Sequence, residues 1–299
     1  MTTGVLVMAY GTPSGPDDIE RYYTDIRGGR APSPEHLAEL AERYAAIGNT
    51  FPLARITQEQ AEGLGRELGD DFRVFVGNKH ASPFVREAVQ RMRDEGIEDA
   101  VGLVLAPHYS KMSIGGYLER LDKATAGGTP RFRFVESWWQ NAGFLDLLVA
   151  RVSDAAAALT PEETRDDLVL FTAHSLPEKI LEWGDPYPDE LRGTAQAVAE
   201  RLHLERFAIA WQSAGRTGEP WIGPPLDEVV AKAAADGHSA VIVCPAGFTA
   251  DHLEILYDID IEAQQAAREA GIRLVRTESM NADPAFCRVL ADVARGALA

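Results

Sequence analysis

The chain has 299 residues, of which 45% are apolar and 25% are charged, and its formal net charge is −17. This composition is typical of an ordinary globular protein, and at about 100 to 200 residues per domain the length predicts two domains. The negative charge argues against nucleic acid and anionic membrane surfaces as partners, because both select basic patches. Neither an uncharged apolar run of about 18 residues nor a signal peptide is present, so we expect no membrane span and a cytoplasmic location.

Eight short apolar runs predict β-strands. Most of them are continuous rather than alternating, which is the pattern of strands that are covered on both faces in a parallel sheet. In chain order the runs are residues 4–10, 73–77, 101–107, 131–136, 168–172, 207–212, 240–245 and 272–275.

Segments with helical periodicity lie between these strands. They are residues 34–47, 83–96, 144–159, 191–202, 227–236, 253–271 and 284–298. The alternation of strand and helix in each half predicts an α/β protein of two Rossmann-like, doubly wound domains, each with a four-stranded parallel sheet flanked by helices. The predicted bounds are residues 1–145 for the first domain and 146–283 for the second, followed by a C-terminal helix at residues 284–299.

A histidine, His174, follows the strand predicted at residues 168–172. Ligands of open α/β sheets bind at the carboxyl ends of the strands, so this position is a candidate for function. Ser175 and Glu178 have the spacing of a capping box, which predicts a helix that begins beside the histidine. His174 is then either a residue that merely ends a strand or, kept neutral by the helix N-terminus, a base or metal ligand.

Three carboxylates, Glu254, Asp258 and Glu262, follow one another at intervals of four residues in a predicted helix. An α-helix would stack them on one face, where like charges destabilise it slightly. One alternative makes Asp251 the N-cap and Glu254 its capping-box partner, with the other two carboxylates solvated. The apolar residues that surround this helix indicate burial instead, and buried carboxylates need a polar cavity or an ion.

The chain has two cysteines, Cys244 and Cys287. They are too few for a disulfide framework, and their spacing fits neither a zinc site nor an iron-sulfur cluster.

Several segments together resemble one family. They are VMAYGTP at residues 7–13, RYY at 21–23, IR at 26–27, LAPH at 105–108, HSLPEK at 174–179, GDPYP at 184–188, WQS at 211–213 and DHLE at 251–254. The chain resembles the ferrochelatases, in particular the water-soluble bacterial form that acts on coproporphyrin. The resemblance implies two Rossmann-like domains around a porphyrin cleft, with the C-terminal helix returning to the first domain.

The resemblance also implies roles for individual residues. His174 and Glu254 correspond to the catalytic pair and, with Asp258 and Glu262, to the residues that meet the metal. The residues implied in substrate binding are Tyr10, Arg27, Arg43, Tyr44, Lys79, His80, Ser113 and Tyr117. The chain departs from some relatives at Phe51, where they have a serine that contacts a substrate carboxylate.

The implied reaction is the insertion of ferrous iron into a porphyrin in heme biosynthesis. We expect coproporphyrin III, which has four carboxylates, to be the substrate rather than protoporphyrin IX, which has two. The first half of the chain is rich in arginine, whose planar guanidinium can form two parallel hydrogen bonds with a carboxylate. The alternatives are protoporphyrin IX as substrate, a cobalt or nickel chelatase, and a tetrapyrrole carrier without catalysis. The resemblance implies no cofactor beyond the ferrous substrate and no iron-sulfur cluster, although Mg²⁺ could bind the acidic row, which is formed by Glu254, Asp258 and Glu262. It further implies a monomer and transient contact with a downstream decarboxylase of the heme pathway.

Overall fold

The computed structural model describes residues 2–215 and 218–299, and within them the chain forms two four-stranded parallel sheets. The strands are β1 Thr3–Ala9, β2 Phe72–Asn78, β3 Asp99–Val104, β4 Arg131–Val135, β5 Leu168–His174, β6 Phe207–Gln212, β7 Ala240–Cys244 and β8 Arg273–Arg276. The order is β2-β1-β3-β4 in the first sheet and β6-β5-β7-β8 in the second, so both halves have the same topology. All eight predicted strands are present, and the predicted fold class is confirmed.

Helices cover the sheets. They are α1 Ile19–Ile26, α2 Pro34–Ala46, α3 Pro52–Leu68, α4 Val85–Asp94, α5 Ile114–Thr125, α6 Ala142–Ala156, α7 Lys179–Glu182, α8 Tyr187–Leu202, α9 Leu226–Ala235, α10 Gln264–Ala270 and α11 Pro284–Gly296, with a π-helix at Ile255–Ala263. The helices α1, α3 and α5 are not among those predicted. Glycine lowers helix propensity, and both α3 and α5 contain two glycines that mask the helical signal.

One hydrophobic core runs through both halves of the molecule. It includes Val5 of the first sheet, Phe171 of the second, and Phe144 and Phe286 of the helices between them. The helix α6 packs on α8 and β7 of the second half, and the predicted domain boundary at residue 145 falls inside this helix. The shared core fixes the position of one sheet relative to the other.

The C-terminal helix α11 contacts elements of both halves. It packs against α3, which belongs to the first half, and against α6. A Cβ atom at Gly63 of α3 would lie 2.3 Å from the Sγ atom of Cys287, so the two helices approach as closely as they do only because residue 63 has no side chain. The helix therefore ties the two halves together.

We expect the substitution Phe286→Ala to lower the free energy of unfolding by about 3–5 kcal/mol, because a fully buried aromatic side chain would leave a cavity between the two halves. Urea denaturation measures this loss. Arg288→Ala is the matched control, since it lies on the same helix with 58% of its side chain exposed. A loss below about 1 kcal/mol in Phe286→Ala would show that α11 does not hold the halves together.

Candidate active site

A cavity of about 580 Å³ lies between the carboxyl ends of the two sheets. Its wall includes Tyr10 after β1, Lys79 after β2, Leu105 after β3, His174 at the end of β5 and Gly247 after β7. The volume is within the usual range for sites that bind small organic ligands. Five of the eight strands thus direct residues into one space.

The structure brings most of the predicted site residues to this cavity. Those that line it are Tyr10, Arg43, Tyr44, Lys79, Ser113, Tyr117, His174 and Glu254. The predicted residues Arg27, His80, Asp258 and Glu262 do not line it.

The centre of the site is Glu254, whose carboxylate lies between two imidazoles. Its Oε1 atom is 3.6 Å from Nε2 of His174, and its Oε2 atom is 3.5 Å from Nε2 of His252. Burial by itself would raise the pKa of Glu254, but the positive charge that the two imidazoles can carry, together with Arg43, lowers it to about 2. The Glu254 side chain is therefore a carboxylate at neutral pH.

Each imidazole is oriented by a backbone carbonyl. Nδ1 of His174 contacts the carbonyl of Ser175, and Nδ1 of His252 lies 2.9 Å from the carbonyl of Ala250. A carbonyl only accepts, so each Nδ1 carries a hydrogen and each Nε2 is the nitrogen that gains or loses a proton beside Glu254. Glu254 raises the pKa of His252, although burial opposes this.

Hydrogen bonds near the strand ends position both His174 and Glu254. The phenol of Tyr187 donates to the carbonyl of His174 at 3.0 Å. The side-chain amide of Gln212, at the end of β6, donates to the carbonyl of Glu254 at 3.2 Å, and its oxygen accepts from Thr172 at 2.8 Å. The pairing of β5 with β6 thus fixes the distance between histidine and carboxylate.

Both capping-box interpretations are wrong. The hydroxyl of Ser175 donates to the carbonyl of Ile222 at 2.7 Å, and α7 begins only at Lys179, so no helix N-terminus adjoins His174. The carboxylate of Asp251 accepts from Ser279 at 2.7 Å and from Asn281 at 2.9 Å instead of capping a helix. The side chains of Ser175 and Asp251 therefore bond with residues that are distant in sequence.

Two of the three carboxylates in the row, Asp258 and Glu262, lie on a π-helix rather than on the predicted α-helix, and Glu254 immediately precedes it. Residues 255–263 form this π-helix, a rare geometry that is frequent at functional sites. Nη2 of Arg43 lies 2.6 Å from Oδ1 of Asp258 and 3.5 Å from Oε2 of Glu262. Burial outweighs the attraction of Arg43 and raises the pKa of Asp258 to about 6. The Asp258 side chain is buried and that of Glu262 is about half exposed, so the row leads from the cavity to the surface.

His80 supports the cavity wall from behind. Its ring lies 4.6 Å from the ring of Tyr10, and its Nδ1 atom is 2.7 Å from Oδ1 of Asp25. Burial, only partly offset by Asp25, lowers the pKa of His80 to about 4. Arg27 lies over the ring of Tyr23, which does line the cavity.

Two carboxylates of the second half tether the loop that follows β3. Asp185 accepts from the hydroxyl of Ser110 at 3.0 Å and from the backbone of Lys111 at 2.8 Å. Glu190 accepts from the backbone of Tyr109 at 2.7 Å. These contacts position the loop, whose end carries the cavity residue Ser113.

His108 makes a further contact between the loop after β3 and the second half. Its Nε2 atom is 2.8 Å from the hydroxyl of Thr194, its Nδ1 atom is buried without a partner, and burial lowers its pKa to about 3. His252 lines the cavity, whereas Asp185 and Arg120 do not line it but bond with Ser110 and Gly116 on either side of the cavity residue Ser113; none of the three was assigned from the sequence. His252 and Asp185 lie inside the DHLE and GDPYP segments, so the resemblance could have indicated them, whereas Arg120 lies in an unpredicted helix.

Residues 2–215 and 218–299 contain no group of three or more His, Cys, Asp or Glu side chains arranged to hold a metal ion. Within the same ranges, every helix is too short or too polar to cross a membrane.

Known proteins resemble this chain along nearly its whole length. A model of the Ferrochelatase family matches residues 2–298. The coproporphyrin III ferrochelatase of Geobacillus kaustophilus is 45% identical, and the match covers 98% of this chain and 95% of the relative. The ferrochelatase of Herpetosiphon aurantiacus is 44% identical over 98% of either chain. The structure of the sirohydrochlorin chelatase SirB from Bacillus subtilis subspecies spizizenii, in complex with cobalt, shares the fold with a TM-score of 0.62, at 10% identity over 99% of this chain and 95% of that chain.

The neutral His108 makes the fold sensitive to acid. An unfolded histidine takes up a proton near pH 6.5, whereas the buried His108 does so only near pH 3, so the native state loses stability relative to the unfolded state as the pH falls through this window. We expect the free energy of unfolding to fall by roughly 2–3 kcal/mol more in the unsubstituted protein than in His108→Gln between pH 7 and pH 4.5. Urea denaturation across this range measures the difference, with the exposed His36→Gln as control. If the difference in the free energy of unfolding between the unsubstituted protein and His108→Gln did not change with pH, His108 would not be held neutral.

Proposed function

Because the chain belongs to the ferrochelatase family, we propose that it inserts ferrous iron into coproporphyrin III in heme biosynthesis. The observation that carries this proposal is the ionised Glu254 between two imidazoles, at the centre of a cavity lined by aromatic and cationic side chains. Relatives named for this reaction are about 45% identical over nearly the full length.

The reaction needs a proton acceptor beside the ring. Metal insertion removes two protons from the pyrrole nitrogens, and a neutral imidazole is a good acceptor near neutral pH. His174 has its lone pair on Nε2 when neutral, and this atom faces the cavity beside Glu254. Once protonated, the imidazole is stabilised by the adjacent carboxylate. We therefore assign His174 as the base and Glu254 as its electrostatic partner and a ligand for incoming iron.

The iron is a substrate that must leave the protein for the ring. A complete set of protein ligands would retain it, and the described residues contain no such set. The four ring nitrogens supply the remaining donors as the metal enters. Imidazole and carboxylate do not favour ferrous iron over zinc or copper, so we expect other divalent metals to compete.

The row formed by Asp258 and Glu262 connects the cavity with the surface, and we assign it to the passage of protons or iron. The pKa of Asp258, raised by burial to about 6, suits a group that exchanges protons near neutral pH. Nη2 of Arg43 already lies between the two carboxylates, at 2.6 Å from Asp258 and 3.5 Å from Glu262, and neutralises part of their charge. The arrangement therefore does not fit Mg²⁺, which would first have to displace the guanidinium.

Coproporphyrin III is the better substrate candidate because it carries four carboxylates. The cavity wall has Arg43 and Lys79 among its residues, although the chain as a whole is strongly acidic. Tyr44, Ser113 and Tyr117 add hydroxyl groups that can donate hydrogen bonds to carboxylates. From the resemblance to the soluble bacterial members, we also propose a cytoplasmic monomer that passes its product to a decarboxylase.

We expect His174→Ala to lower the rate of iron insertion by about 10²–10⁴-fold, the usual contribution of a general base, without loss of the folded state. Anaerobic incubation with ferrous iron and coproporphyrin III measures the rate through the change in porphyrin absorbance. His36→Ala, an exposed histidine on α2, is the control. Normal turnover in His174→Ala would contradict the assigned base.

The substrate and the enzymatic role are tested in the unsubstituted protein. We expect faster insertion into coproporphyrin III than into protoporphyrin IX at equal concentration, because more carboxylates meet the cationic wall. Equal or inverted rates would contradict the substrate preference. Tight binding of porphyrin without metal-dependent turnover would identify a carrier instead of an enzyme.

A further inference from the structure

Arg276, at the end of β8, binds two carboxylates that lie on either side of His252 and Glu254 in the chain. Its Nε and Nη2 atoms donate to the two oxygens of Asp260 at 2.7 and 3.0 Å. Its Nη1 atom lies 3.4 Å from Oδ1 of Asp251. Asp251 immediately precedes His252, and Asp260 lies on the π-helix that follows Glu254. One guanidinium therefore joins both ends of the segment 251–260, which carries the two site residues.

The first end of this segment is fixed by a polar network. The backbone N–H of Asp251 donates to the side-chain oxygen of Asn281 at 2.9 Å, and its carboxylate accepts from the amide group of the same residue at 2.9 Å. The hydroxyl of Ser279 donates to Asp251 at 2.7 Å, and Nη1 of Arg276 lies 3.4 Å from that hydroxyl. Arg276 thus belongs to the network that holds the residue before His252.

The second end of the segment is held by a bidentate contact. Two parallel hydrogen bonds between a guanidinium and a carboxylate fix their relative orientation as well as their distance. Only 17% of the Arg276 side chain is exposed, and burial disfavours its charge, but Asp260 and Asp251 more than compensate and raise its pKa. Because β8 is an edge strand of the second sheet, this contact attaches the π-helix to that edge.

We propose that Arg276 is a positioning residue, which sets the place of His252 and Glu254 relative to His174 for the insertion of iron. The inference rests on the proposed function and deepens it. Arg276 is not among the described residues that line the cavity, so it acts through the segment 251–260. His174 lies on β5 of the same sheet, so the contact fixes all three side chains to one framework. A displacement of about 1 Å at a reacting group can lower a rate by about 10²-fold.

The test compares Arg276→Ala with Arg273→Ala, which removes a cation from the same strand. We expect Arg276→Ala to lower the kcat of iron insertion into coproporphyrin III by about 10–100-fold, the usual cost of removing a partner that orients a site residue. The KM for coproporphyrin III should stay within about twofold, because the cationic cavity wall belongs to the first half. Arg273 pairs instead with Glu163 at 2.9 Å and is 42% exposed, so its removal should change kcat by less than about twofold.

Chemical rescue separates positioning from a general loss of structure. An open pocket of about 340 Å³ lies against Arg276 and has Asp260 in its wall, so a small cation can reach the place that alanine leaves. We expect millimolar methylguanidinium to restore part of the kcat of Arg276→Ala, and methylammonium to restore less, because only the planar group can form two hydrogen bonds with Asp260. Arg276→Lys and Asp260→Asn should each lower kcat less than Arg276→Ala does. These two variants retain most of the packing and carry the test should Arg276→Ala unfold.

A measurement without turnover keeps this proposal separate from the proposed function. In the NMR spectrum of the metal-free protein, we expect the ring resonances of His252 to shift in Arg276→Ala and to stay unchanged in Arg273→Ala, with the exposed His36 as internal reference. Unchanged His252 resonances in both Arg276→Ala and Asp260→Asn would overturn the positioning role, as would an equal loss of kcat in Arg273→Ala. If the His252 resonances shift but the unsubstituted protein inserts no iron, the proposed function fails and the positioning of His252 remains supported.

Discussion

The site depends on keeping one carboxylate, that of Glu254, ionised in a place where burial opposes ionisation. Two imidazoles can supply compensating charge when they are protonated, and each is oriented by a backbone carbonyl so that its Nε2 atom faces the carboxylate. A proton held on either Nε2 atom lies directly beside the carboxylate and is stabilised by it. Removing His174 or His252 would therefore change the electrostatic environment of Glu254 in addition to removing one of its contacts.

This centre spans elements that are far apart in sequence, so its geometry depends on the relative position of the two sheets. The shared core and α11 set that position, and polar contacts refine it. Gln60, fully buried on α3, donates to the carbonyls of Thr249 and Asn281 in the second half at 3.1 and 2.9 Å. Asp185 and Glu190 of the second half bind the loop after β3. Polar contacts thus join the two halves at two separate places near the cavity.

The strands and the position of the site were predictable because each depends on local patterns. Continuous apolar runs predict buried parallel strands, and polar residues after such runs predict a site at the carboxyl ends. The partners of Ser175 and Asp251 were not predictable, since each bonds with a residue at least 28 positions away that competes with the local capping box. The π-helix also escaped prediction, because the spacing of Glu254, Asp258 and Glu262 suits an α-helical face as well.

Charge is distributed unevenly around the cavity, and this distribution separates two tasks. On the side of the π-helix, Arg43 partly neutralises Asp258 and Glu262, which leaves a negative path suited to cations and protons. On the side of α5, the cation Lys79 lines the cavity together with the hydroxyl groups of Ser113 and Tyr117, so this wall suits anions. A ligand with a metal-accepting centre and carboxylates at its rim would meet complementary charge at both places. The overall charge of −17 conceals this polarity, which arises only when the fold brings the two walls together.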